Sequence, residues 1–249
     1  MSKDVLNALL VYLLMLLANP VVAQQRTQFW GLTAGFSPLQ IKDQFHSDYT
    51  YRGTGLGLQA YYGHNRLKTQ WQLEAAYTRA TPQSIVSRKA STQFVDLTFD
   101  YQWRLLPVSR LDNRVQYFGG LGLRLTNNTT NYSPDMEVST IVSTAVASLG
   151  VSAKATYQLS ARQRIQGQAF ASIVSAVYRP DYPYFGRDQV AISWLGKGPL
   201  LDAQVTYQYQ FHERYQAVGF YKLTYFQYDQ PRPLVGLRQQ VGIGIQRTF

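Results

Sequence analysis

Asp43, His46 and Asp48 are residue types that can activate a water molecule, and they lie within a few positions of one another. An imidazole between two carboxylates is an acid–base couple in principle, but such work needs groups fixed on rigid supports. These three share one of the longer connections, Pro38 to Thr50, where a polar surface loop is the simpler reading. The other histidines, His64 and His212, are distant in the sequence, and there is no cysteine, so nothing has metal-ligand spacing. No serine or histidine arrangement marks a nucleophile. On these grounds no catalytic, cofactor-binding or metal-binding residue is assigned.

A second set of charges is more informative because of where it falls. Glu74, Asp96, Asp100 and Asp202, with Arg104, Arg124, Lys154, Lys222 and Arg238, each sit within a segment that alternates apolar and polar residues. Val95, Leu97, Phe99, Tyr101 and Trp103 alternate with Asp96, Thr98, Asp100, Gln102 and Arg104. Trp71, Leu73, Ala75 and Tyr77 oppose Gln70, Gln72 and Glu74; Leu201, Ala203, Val205, Tyr207, Tyr209 and Phe211 oppose Asp202, Gln204, Thr206, Gln208 and Gln210. A period of two places alternate side chains on opposite faces of a strand. Ten such segments can be traced from Trp30 to Phe249, with Ile165 to Val177 the weakest because both of its faces are fairly apolar. That weakness and the long loops keep eight or twelve strands open.

The charges lie on one face at mid-strand, and the other face is charge-free over about the ten residues a tilted membrane strand needs. Arg52, Arg79 and Arg247 do occupy the apolar face, but at segment ends, where long side chains reach lipid headgroups. A soluble barrel would turn its apolar face inward; here the pattern predicts lipid outside and ions inside. The expected fold is all-β: a transmembrane antiparallel up-and-down β-barrel of about ten strands. A ten-stranded barrel is narrow, since eight strands are just filled by side chains and open aqueous channels appear near about sixteen. The inward charges are therefore expected to pair and fill the lumen; the alternative is a narrow polar path lined by them.

Connections after even-numbered segments are short and basic, with Arg66, Lys68, Arg110, Arg114, Arg162, Arg164 and Arg214 against Asp112 and Glu213. Those after odd-numbered segments are longer, and their charges balance. With both termini on the short-turn, periplasmic side, Trp30, Tyr62, Trp71, Tyr101, Trp103, Tyr117, Tyr157, Tyr207 and Tyr209 all fall outward near that end, an interfacial aromatic girdle. The long connection from Arg179 to Pro199 holds Arg179, Tyr182, Tyr184, Phe185, Arg187 and Trp194, which read either as a contact surface or as a lid over the barrel mouth.

At the amino terminus, Lys3 precedes the apolar run Ala8–Ala18, too short for the roughly 20 residues of a membrane-spanning helix. Asn19-Pro20 and the small residues before Gln24 complete the pattern of a secretory leader over residues 1–23, with residues 24–249 as one barrel domain. The net charge of +10 is dispersed along an exported chain, so no nucleic-acid partner is expected.

The terminal Phe249, with Val241, Ile243 and Ile245 behind it at every second place, resembles the C-terminal assembly signal of bacterial outer-membrane barrel proteins; Arg247 departs from that pattern. The chain is similar overall to generic small barrels of Bacteroidota. The resemblance implies integral outer-membrane placement, contact with outer-membrane lipid and lipopolysaccharide, and engagement by the barrel assembly machinery during biogenesis, with any protein partner unspecified. The leading expectation is a non-enzymatic structural or interaction platform without cofactors. A porin-like passive pore comes second, and an omptin-like or lipid-modifying surface hydrolase third, since the motif spacing of omptins is absent.

Overall fold

Ten antiparallel strands, each bonded to its neighbour in sequence, roll up until the last meets the first. The computed structural model describes residues 27–44, 48–66, 68–86, 89–105, 114–132, 141–179, 189–229 and 233–249. The leader assigned to residues 1–23 lies outside them, as do His46, Tyr182, Tyr184, Phe185 and Arg187. The strands are β1 (Thr27–Asp43), β2 (Thr50–Asn65), β3 (Thr69–Ala80), β4 (Gln83–Ser84), β5 (Ala90–Arg104), β6 (Val115–Tyr132), β7 (Ile141–Ser160), β8 (Gln163–Arg179), β9 (Gln189–Trp194), β10 (Leu200–His212), β11 (Tyr215–Tyr228) and β12 (Leu234–Thr248). Pairing of β1 with both β2 and β12 closes the ring and leaves no free barrel edge.

The two short strands are continuations of longer ones. β4 extends β3 along β2 in the same register, the break falling at Pro82, which has no N–H to give the ladder. β9 and β10 both pair with β8, β9 toward its loop end and β10 toward its turn end. Between them Leu195 to Leu200 stand opposite only Ser172 and Ile173, so the extra residues loop out in a turn closed by Lys197 N–H donating to Trp194 O at 2.8 Å. Residues 189–194 thus form barrel wall, where the sequence pattern suggests only loop.

The alternation assigns the faces as expected of strands in lipid. Leu97, Phe99, Leu123, Leu125, Val205, Ile243 and Ile245 are exposed on the outer wall, while Asp96, Asp100, Arg124, Lys222 and Arg238 are buried within. The aromatic residues from Trp30 to Tyr209 named above occupy the outer face toward the short turns, with Tyr62 and Trp71 in edge contact at 5.4 Å. Val241, Ile243, Ile245 and Phe249 all face outward. Arg247 is accommodated on that face by two rings, its guanidinium 4.8 Å from the centre of Phe249 and 5.8 Å from that of Tyr215.

One position breaks the alternation. Leu149 pairs with Val174 but Gly150 pairs with Ser172, so Ile173 is an extra residue, a β-bulge. Phe170 and Ser172 point inward below it and Ser175, Val177 and Arg179 above it, with Ile173 and Val174 left on the outer side. This switch gave the sequence its weak β8 signal. It also corrects the placement of Arg179: the bulge turns that side chain into the barrel, away from any surface contact patch. Deleting Ile173 should return Val177 and Arg179 to the outer wall and abolish the folded-barrel mobility seen on unheated SDS gels; Ile173→Ala, which keeps the extra residue, should retain it. Leu123→Arg on the lipid-facing wall should cost roughly 2–4 kcal/mol in denaturant-dependent folding into vesicles, and Asn127→Arg, farther toward the loops, roughly 1 or less.

Candidate functional site

The barrel interior is divided into three layers along its axis, and the predicted residues distribute among them. The middle layer is ionic. Arg124 of β6 reaches across the lumen, its Nη2 donating to both carboxylate oxygens of Asp100 at 3.0 Å and its Nε to Asp202 Oδ2 at 3.1 Å. Nη1 donates to the carbonyl of Leu123 at 3.1 Å, and the guanidinium plane lies 4.2 Å from the centre of the Phe170 ring. Asp100 also accepts from Gln168 at 2.9 Å. Beside this hub, Lys222 Nζ donates to Glu74 at 2.7 Å, and Arg238 to Asp96 at 2.7 Å. Thr126 supplies a further hydrogen bond to Asp96 at 2.8 Å. Arg124–Asp202, Lys222–Glu74 and Arg238–Asp96 span the bore between non-adjacent strands, whereas Arg124–Asp100 joins the neighbouring β6 and β5, so the layer fixes the barrel's cross-section as well as cancelling charge. Gly122 makes room for the hub: a Cβ there would come within 2.7 Å of Asp100 and 2.8 Å of Phe170.

Toward the loops the interior is apolar. Leu39, Ile41, Tyr51, Phe94, Tyr132, Val142, Phe226, Tyr228 and Leu234 form one buried cluster, with Tyr51 against Tyr132 at 5.1 Å and Phe226 against Tyr228 at 5.9 Å. Buried at this end is a double contact from Arg179 to Asp43, at 3.2 and 3.3 Å. Asp43 is thus engaged in the lumen. Asp48 lies apart near the start of β2. Trp194, by contrast, is exposed on the outer wall of β9.

Toward the short turns the lumen opens into a cup of about 420 Å³. Its lining includes Arg66, Arg104, Arg114, Lys154 and Arg164, a ring of glutamines, and Phe29, Tyr61, Phe118 and Phe220; the one carboxylate among the lining residues is Glu74, held by Lys222. The structure therefore separates the nine inward charges named from the sequence. Glu74, Asp96, Asp100, Arg124, Asp202, Lys222 and Arg238 join the ionic layer, whereas Arg104 and Lys154 face the cup. Sequence reasoning passed over the apolar layer and the cup's amide lining. The signals were present: along β1 the inward residues change from Thr33 and Ser37 to Leu39 and Ile41 as the outward ones change from Leu32 and Phe36 to Gln40 and Lys42.

No helix among the described residues is long and apolar enough to cross a membrane, a test that does not bear on strands. A closed barrel with an apolar outer belt and an ionic lumen is the architecture of an integral outer-membrane β-barrel protein. The chain belongs to the outer membrane protein beta-barrel domain family, whose model matches residues 9–179. No curated protein matches it. Among solved structures, the outer membrane protease OmpT from Escherichia coli superposes with a TM-score of 0.57 at 8% identity, covering 93% of this chain and 99% of that one. The translocator domain of the autotransporter NalP from Neisseria meningitidis gives 0.42 at 11% identity, over 97% and 94% of the two chains. Ail of Yersinia pestis gives 0.36 at 12%, over 89% and 98%. At these identities the OmpT likeness establishes fold alone.

The ionic hub makes an energetic prediction. Arg124→Met leaves Asp100 and Asp202 without their shared cation and should destabilise the barrel by roughly 3–5 kcal/mol. Lys222→Met should be similarly harmful alone and far less so when combined with Glu74→Met, because the pair is then removed together; a double-mutant cycle in vesicle-folding titrations measures both.

Proposed function

We propose that the protein is a non-conducting, non-enzymatic outer-membrane barrel that acts as a structural or interaction platform. The observation that carries this reading is the sealed lumen. The apolar cluster and the ionic layer lie in series across the bore, and the void beside the ion pairs is about 20 Å³, room for about one water molecule. A hydrated ion would have to part buried pairs and then cross aromatic side chains. In this reading the leader is removed, the short turns and both termini face the periplasm, and the long loops face outward. The outer wall meets lipid and lipopolysaccharide, and the strand ending at Phe249 is the assembly machinery's recognition element.

The likeness in fold to a protease does not move this assignment. Asp43, needed for the acid–base couple suggested by its neighbourhood in sequence, is turned inward onto Arg179. The pore reading has one feature in its favour, the open cup, but that cup ends at the ionic layer. In planar bilayers the purified barrel should give no unitary conductance steps, and vesicles containing it should not admit small sugars. Steady steps that change with substitution at Asp96 would establish the pore instead.

A further inference from the structure

The cup has a composition that neither the fold nor a merely filled lumen requires. In the ionic layer directly above it each acid is in contact with a base. In the cup the arrangement is reversed. Arg66, Arg104, Arg114, Lys154 and Arg164 line it, and among the described residues none of them has a carboxylate within ion-pair distance. Lys154 is the telling case, being only 8% exposed and without a hydrogen-bond partner among the described residues. Burying an unpaired ammonium is costly, and low-dielectric walls around a cleft of net positive charge focus its field on whatever enters. These features select an anion.

The remaining lining specifies what kind. Amides of Gln70, Gln72, Gln116, Gln166 and Gln204 surround the space, each with a donor and an acceptor. Among the described residues, Asn65 Oδ1 and Gln208 Oε1 are buried acceptors without a hydrogen-bond partner. Hydroxyl groups match such a wall, and the rings of Phe29, Tyr61 and Phe118 offer flat apolar surface for a sugar face. A volume of about 420 Å³ falls in the range of small-molecule sites, and the blind end excludes a threaded polymer. We propose that the turn-side cup binds a small anionic saccharide, one bearing a phosphate or a carboxylate. The proposal draws on the sealed-lumen reading only in treating the cup as blind. A leaking floor would be detected as conductance and a failed site by calorimetry, so the two claims fail separately.

The test is titration calorimetry on the purified barrel in detergent micelles with glucose 6-phosphate, glucuronate, neutral glucose and inorganic phosphate. At least one sugar anion should bind about tenfold or more tightly than both glucose and inorganic phosphate, and the tighter of the two assigns the phosphate or the carboxylate. Lys154→Gln should weaken that binding about tenfold, the usual scale of a lost charge-assisted hydrogen bond, and Lys154→Arg should restore most of it. If Lys154→Gln does not fold, judged by unheated SDS mobility, Arg164→Gln nearer the mouth should give the same direction of change. Absence of binding by both sugar anions overturns the proposal. So does affinity unchanged by either Gln substitution, or inorganic phosphate binding as tightly as the sugar anions.

Discussion

Lipid offers no hydrogen-bond partner to a peptide group, and every other feature of this protein follows from that deficit. Strands can cross hydrocarbon only if each amide and carbonyl is met by a neighbouring strand, which requires closure of the sheet. The pairing of β1 with β12 meets that requirement. Closure then fixes the side chains, because alternate residues must face either lipid or the lumen. In the lipid-facing belt the outer wall excludes charge, and any polar side chain in that belt must turn inward. Unpaired buried charges are costly there, and in the middle layer Arg124, Lys222 and Arg238 each find a carboxylate on a strand across the bore.

The same logic explains why the interior changes character along its length. Where the outer wall meets lipid, an apolar residue gains little by facing inward, and the lumen is left to polar groups. Beyond the belt the wall meets water, and the ordinary hydrophobic effect returns. Leu39, Ile41, Tyr51 and Phe94 accordingly point inward while Gln40, Lys42, Arg52 and Gln93 point out. Full burial of such a side chain contributes on the order of 1.5–3 kcal/mol, so the loop end holds itself together as a small soluble barrel would. The strands invert their polarity without changing their alternation. At the opposite end the lumen widens into the cationic cup, where the balance of charge seen in the middle layer is absent.

Much of this was legible in the chain. The alternation of Val95 to Arg104 announces its strand, its faces and its inward acids without reference to anything else. The ten barrel strands and the antiparallel order followed from the count of such segments and the rhythm of their connections. What the sequence concealed falls into two kinds. Strand ends resemble loop wherever outward residues become polar, so the pattern ends the first segment before Pro38 although β1 runs to Asp43. The bulge at Ile173 lies in a run, Ala171 to Val177, with small or apolar residues on both faces; one inserted residue leaves no mark there, so the side on which Arg179 falls is hidden in the sequence. Nor could the sequence state which cation meets which acid. Lys222 and Glu74 are 148 positions apart, and only the closed ring brings them together.

The most direct measurement of this account is the accessibility of single cysteines in the barrel reconstituted into vesicles, the native chain having none to interfere. Leu97→Cys and Ile243→Cys should react with a bilayer-confined thiol reagent and resist a water-soluble one. Phe94→Cys, within the apolar layer, should resist both. Gln72→Cys, in the cup, should react with the water-soluble reagent alone. Reaction of Phe94→Cys or Gln72→Cys from the bilayer, with Leu97→Cys and Ile243→Cys shielded, would mean that the two faces of the wall have been exchanged and that the layered lumen does not exist.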